Sequence, residues 1–421
     1  MTRMKDSGNP WVREIPSDWF EKKLRYLVEL RGEKSVTTDY KKYVGLENIM
    51  SQTGQYVQTG IEVDLTENLT FEVGDILFGK LRPYLRKYWR AEFSGTASSE
   101  FVIIKGSSLN LNFLFWAIQS DSFINDVDSS TYGSKMPRAS WEYMKNIKLP
   151  FPESIEEQTQ IADFLDKKVA QLDKVKSLLE EQIKTLEDYR QSLIYETITK
   201  GLDKTVPLKD SGVDWIGQIP IASSLKKLKD LLATPLQYGA NESGEDYDES
   251  LPRYIRITDI DSNGDLKREG KQSLAEKIAT PYILQDGDLL FARSGATVGK
   301  TFLYKSCFGR SAFAGYLIKA SLDKSLVLPE YLYYYTLNPL FNTWKEMTFI
   351  QSTIQNIGAD RYNILPVLIY PIEEQQKMID YLDCKISQIN QMIAIKKEQI
   401  ENINKQRQTL IYDVVTGKRR I

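Results

Sequence analysis

The chain has no histidine at all and only two cysteines, Cys307 and Cys384. Without imidazole there is no usual general base, no Ser-His or Cys-His nucleophile pair, and none of the commonest metal ligand. Two isolated thiols make neither a disulfide framework nor a thiolate zinc site. No apolar run approaches the roughly 18–20 residues that cross a bilayer. The opening stretch MTRMKDSGNPWVREIP has no apolar signal-peptide core, which points to the cytoplasm. Basic charge is not in excess either: 55 Lys and Arg stand against 57 Asp and Glu, a net charge of −2. Nucleic-acid-binding domains usually carry such an excess, so any basic face here must be local.

What is present is a duplication. EEQTQIADFLDKKVAQL, from Glu156, aligns without a gap with EEQQKMIDYLDCKISQI, from Glu373, and the match runs on to Thr199 and Thr416 with 17 of 44 positions identical. Upstream, DSGNPWVREIP at Asp6 matches DSGVDWIGQIP at Asp210. The chain is therefore a globular segment and a helix, followed by both again, and predicts two pseudo-symmetric halves.

The repeated helical segment reads as a rod. Ser154 and Glu157 form a capping box at the first start, and Gly201 with Pro207 beyond it marks the stop. Leu165, Leu172, Leu179, Leu186 and Leu193 recur every seventh residue, with Ile161, Val175 and Tyr189 as a partial companion stripe. Leu382, Ile389, Ile403 and Leu410 keep the stripe in the second copy, with Lys396 the exception. A heptad stripe is a coiled-coil seam, and two matched rods in one chain predict an antiparallel pair, each on the order of 65 Å long at 1.5 Å per residue.

The globular segments read as mixed α/β, with strands at 42–46, 75–78, 101–104, 254–257, 288–291 and 316–318 and helices at 110–127 and 329–347. Away from the matched anchors they have diverged. One run invites an NTPase reading: GDLLFARSGATVGKT, 287–301, ends in Gly-Lys-Thr. A Walker A loop requires G-x-x-x-x-G-K-[ST], but Ser294 stands where the first glycine belongs. The counterpart in the first half, GDILFGKLRPYLRKYWR from Gly74, shares the strand and has no such ending.

That counterpart points to DNA instead. Lys80, Arg82, Arg86, Lys87 and Arg90 are interleaved with Tyr84, Tyr88 and Trp89, suiting phosphates, guanine edges and sugars. In the second half Arg293, Ser294, Thr297 and Lys300 lie on the equivalent turn. A further loop precedes each rod, with Ser134, Lys135 and Arg138 in the first and Gln351, Gln355, Asn356 and Arg361 in the second. Amides of this kind pair with adenine, and Arg or Lys with guanine. The acidic run NESGEDYDES, 241–250, is expected to face solvent or a partner rather than DNA.

The order of these motifs, with proline before each EEQ rod start, DSGxxWxxxIP, and GD[IL]LF before a turn, resembles the DNA specificity subunit of type I restriction–modification systems across essentially the whole chain. The resemblance implies an α+β architecture of two target-recognition domains, 1–150 and 206–365, separated by a central conserved helical region, 151–205, and a distal one, 366–421. It further implies that each domain reads one half of a split double-stranded DNA target. The rods would set the spacer and dock two modification (methyltransferase) subunits, with restriction subunits completing the assembly. The chain itself would be non-catalytic and free of metal and cofactor, with S-adenosylmethionine, ATP and Mg on its partners. A non-DNA coiled-coil scaffold and an NTPase using 294–301 are the alternatives. A stand-alone methyltransferase is disfavoured, because no [DN]-P-P-[YF] stretch or glycine-rich AdoMet loop is present.

Overall fold

The computed structural model describes residues 3–8, 12–36, 42–59, 67–132, 135–261, 264–295, 298–350 and 356–421. The chain forms two compact units: residues 1–180 with 396–421, and residues 181–395. Each long helix contributes one part to each unit, because the first spans Ile155–Lys200 and the second Ile372–Val415.

In the first unit a four-stranded antiparallel sheet runs in the order Val28–Leu30, Phe101–Ser107, Ile76–Gly79 and Tyr88–Arg90. A second four-stranded sheet contains one parallel pair, Tyr43–Val44 with Gly95–Ala97. Trp19–Lys23 pairs with Lys148–Pro152, the strand that leads into the first rod. The second unit has the same plan. Its antiparallel sheet runs Gln237–Tyr238, Leu317–Ala320, Leu289–Ala292 and Thr301–Leu303. Its mixed sheet has Arg253–Ile255 parallel to Ser311–Phe313, and Ser224–Lys227 pairs with Pro366–Ile369 before the second rod. The two expected helical runs each break in two. Ser120 caps a new helix at Asp121–Ser129, and Pro339 starts another at Pro339–Ile350, where its missing N–H costs nothing.

The matched motifs do matched work. Asp6 and Asp210 each accept a hydrogen bond from the glycine two residues on, at 2.8 and 2.9 Å. The aspartates of the two GD motifs, Asp75 and Asp288, are buried and accept from Glu72 N and Gln285 N at 2.9 and 2.8 Å, closing the turn before each central strand. The preceding glycines, Gly74 and Gly287, hold φ of +89° and +90°, which a side chain would disfavour. The EEQ glutamines are staples. Gln158 donates to Pro152 O and accepts from Asn110 N; Gln375 donates to Tyr370 O and Leu326 O and accepts from Leu328 N. Both are almost fully buried and tie a rod start to the N-terminus of a domain helix. Asp166 and Asp383, also matched, accept from Trp116 Nε1 and Tyr334 Oη.

Within each unit the rods are antiparallel. In the first, Asp173 faces Arg407 at 3.5 Å; in the second, Asn390 faces Arg190 at 2.8 Å, the same two repeat positions with the helices exchanged. The heptad stripe lies in this seam and on the domain cores. Leu165, Leu193, Leu382 and Ile389 are buried, and Leu172, Leu179, Leu186, Ile403 and Leu410 are half-buried. The companion stripe departs from expectation: Ile161 is buried, but Val175 and Tyr189 are 47% and 54% exposed, because they lie between the start of the rod, packed in the first core through Leu165 and Val169, and its end, packed in the second through Leu193 and Ile198. One repeat was missed by sequence reasoning. Tyr43–Ile49 and Tyr254–Ile260 are both strand then 3-10 turn, with Asn48 and Asp259 accepting from Gly45 N and Arg256 N at 2.8 Å in each. Only the tyrosine, the isoleucine and the alternating apolar positions survive in sequence, too little to stand out.

Candidate nucleic-acid interface

The GD strand in each unit turns back on itself as a hairpin. Ile76–Gly79 pairs with Tyr88–Arg90, leaving 80–87 as the loop; Leu289–Ala292 pairs with Thr301–Leu303, leaving 293–300. A Walker A loop leads from strand into helix and turns its amides to the phosphates. Here the parts of Gly-Lys-Thr are taken up by the hairpin and by the elements packed around it. Gly299 N donates to Ala292 O at 2.8 Å, Lys300 Nζ donates to Asp261 O, and the Thr301 hydroxyl meets that of Thr336 at 2.7 Å, buried. Gly299 sits at φ +77° with the Lys345 side chain crossing where a Cβ would be. Burial also lowers the Lys345 ammonium below the usual lysine range. The NTPase reading is therefore overturned: the glycine is there for a left-handed hairpin position.

In both units the second loop, the one before the rod, is bridged to this hairpin. Leu81 and Arg138 form an antiparallel bridge, with Arg82 N donating to Pro137 O at 2.7 Å and Ala139 N to Lys80 O at 2.9 Å. Ser294 and Asn356 form the same type of bridge, and Ile357 N donates to Arg293 O at 2.8 Å. The two loop types that stand apart in the sequence are thus joined twice over.

The cations in these loops differ in how much of their charge is committed. Arg138 is bidentate to Glu100 at 2.9–3.1 Å, which raises its already high pKa. Lys87 Nζ donates to Leu46 O at 2.6 Å. Arg86 donates to Asp121 at 2.6 Å and is 16% exposed. Arg90 is bonded to Asn112, while Tyr88 and Trp89 are core residues. By contrast Arg82 is exposed, and among the described residues its guanidinium reaches only the Lys135 carbonyl, at 3.2 Å. Lys135 is exposed, Lys80 is half-buried, and neither is in an ion pair among the described residues. Tyr84, Tyr132 and Met136 stand beside them, about half exposed or more.

In the second unit the Arg293 guanidinium lies 4.9 Å from the Tyr238 ring, with its Nε 3.5 Å from Asn356 Oδ1. Tyr316, whose carbonyl accepts from Arg293 N, is 61% exposed. Ser134, Thr297, Gln351 and Gln355 lie outside the described residues. Tyr132, Tyr238 and Tyr316 were missed by sequence reasoning; only their place beside the bridged loops marks them. In the acidic run, Glu245–Asp246 is an exposed edge strand.

A family model described as "Type I restriction modification DNA specificity domain" matches residues 16–187 and again 225–405. The MjaVIII specificity subunit of Methanocaldococcus jannaschii is 23% identical over 97% of this chain and 94% of its own length. The EcoKI specificity subunit of Escherichia coli K12 is 26% identical over 72% and 64%. A chain from a solved structure described as "Structural basis underlying complex assembly and conformational transition of the type I R-M system" superposes with a TM-score of 0.72 at 18% identity, covering 95% of this chain and 98% of that one.

Proposed function

We propose that this chain, which belongs to the family of type I restriction–modification DNA specificity proteins, reads a two-part DNA target with one unit per half-site. Its role is that of the family: the sequence-specific DNA-binding subunit of a type I complex, without catalysis of its own. The observation that carries the finer reading is the repeated junction of the GD hairpin loop with the loop before the rod. It gathers Lys80, Arg82, Tyr84 and Lys135 in one unit, and Arg293, Ser294 and Asn356 in the other, where the Lys300 ammonium is bound to Asp261 O. Phosphates suit Lys80, Arg82 and Lys135, whereas Arg293 and Asn356, held side by side, suit base edges in the major groove.

The rods set the spacing of the half-sites. At 46 residues the first is about 69 Å long, against about 34–36 Å for one turn of DNA. They also dock two modification subunits, which bring S-adenosylmethionine, with restriction subunits, ATP and Mg joining in the full assembly. The heptad stripe faces inward and cannot serve that docking by itself. Val175 and Leu178, and at the matched positions Met392 and Ile395, are 45–57% exposed, and two equal patches suit two copies of one partner.

Exchanging 206–365 for another domain of the family, followed by methylation-site sequencing, should change one half-site and leave the other. A change in both would defeat the modular reading. Inserting one heptad in each rod should lengthen the spacer; an unaltered spacer would defeat the ruler.

A further inference from the structure

Among the described residues, Arg86 is the one cation of the first hairpin loop that a carboxylate holds. It sits at φ +55°, a left-handed position that a side chain adopts only when its surroundings impose it. Its guanidinium donates to three groups: Asp121 Oδ1 at 2.6 Å, at the start of the helix Asp121–Ser129; Gln119 O at 3.4 Å; and Gln408 Oε1 at 3.2 Å, on the second rod. Close by, Arg407, 6% exposed, faces Asp173, so that two guanidiniums are offset by two carboxylates and little net charge is left for a phosphate.

The second unit supplies the comparison. Gln191 occupies the repeat position of Gln408, and its amide donates directly to Leu337 O, at the end of the corresponding domain helix, at 2.7 Å. No hairpin cation intervenes there among the described residues. In the first unit Arg86 is inserted between rod and helix, and with it the hairpin that carries Lys80, Arg82 and Tyr84.

We infer that Arg86 is a positioning residue for reading the first half-site: it clamps the 80–87 hairpin to the second rod through Gln408 and does not contact DNA. The inference rests on the DNA-reading function proposed above. Rod and hairpin are then one mechanical element in the first unit, so a change on the rod is felt in recognition.

The test uses the full chain with its modification subunit on duplexes carrying the intact target, or the target with either half-site scrambled, over a range of salt. The first half-site is the one that persists when 206–365 is exchanged. Arg86→Gln should lower preference for it about tenfold or more, the scale of one charged hydrogen bond, without changing preference for the second half-site or the salt slope. Gln408→Ala, which removes no charge, should act in the same direction, and the double variant should lose less than the sum. A salt slope shallower by about 0.9 in Arg86→Gln, with Gln408→Ala silent, would make Arg86 a phosphate contact and overturn the clamp. So would equal loss at both half-sites, or no loss. Absence of sequence preference in the unaltered protein would instead defeat the DNA-reading function itself, before any variant is examined.

Discussion

Replacing Gln375 with leucine isolates what the EEQ motif does. The two side chains are close in volume, so the substitution removes hydrogen bonds with little change in packing. Gln375 is fully buried, and its amide serves three backbone groups: Tyr370 O at 2.8 Å, Leu326 O at 3.1 Å and Leu328 N at 2.9 Å. A buried backbone group stripped of its partner costs about 1–3 kcal/mol, so three of them should total about 3 kcal/mol or more. Gln158 serves two such groups, Pro152 O and Asn110 N, and Gln158→Leu should cost about 2–3 kcal/mol. Urea titration of both variants measures the totals, and hydrogen exchange at the Leu328 and Asn110 amides locates them. The neighbouring Gln376→Leu, at an exposed position, is the control. If both staple variants fell within about 0.5 kcal/mol of the unaltered chain, the range of ordinary surface substitutions, the motif would not be a structural staple.

Three further outcomes are expected. Gly299→Ala should destabilise the second unit by about 1–3 kcal/mol in thermal denaturation, since the position is left-handed and filled by Lys345, and calorimetry should find no ATP binding in the variant or its parent. Replacing Lys80, Arg82 and Lys135 together by alanine should flatten the salt dependence of DNA affinity by up to about 2.7 in slope, about 0.9 for each phosphate no longer neutralised; an unchanged slope would remove these three from the interface. Burial raises the carboxyl pKa of Glu21, whose Oε1 has no hydrogen-bond partner among the described residues, so its charged form works against folding near neutral pH. Its folded pKa lies above the unfolded one, and the folded state takes up the proton first as pH falls. Glu21→Gln should accordingly raise the melting temperature near neutrality, with the gain vanishing below about pH 4, where the unfolded carboxyl is protonated too.

Much of this was legible in the residues because it is local. A capping serine, a seven-residue apolar stripe and a GD turn each act over a few positions, so the rods, the central strands and their equivalence in the two halves could be read directly. The helix breaks at Ser120 and Pro339 were legible in principle, being a cap and a proline, but the apolar runs of 110–127 and 329–347 continue across them and concealed them. The Tyr43–Ile49 and Tyr254–Ile260 repeat was not legible, because the side chain closing each turn is Asn in one and Asp in the other, and of the seven residues only the first and last are identical.

The sequence by itself determined the duplication, the two rods and a turn after the same strand in each half, since periodicity and motif order survive without any contact being known. Only the tertiary structure decided which cations remain available and which loops meet. Arg86, Lys87 and Arg138 look as free as Arg82 in sequence, but their partners, Asp121, Leu46 and Glu100, lie about 35–40 residues away along the chain. Leu81 meets Arg138, and Ser294 meets Asn356, over still longer separations. Charge is neutralised and loops are joined by proximity in space, and proximity between distant residues is what a linear pattern does not record.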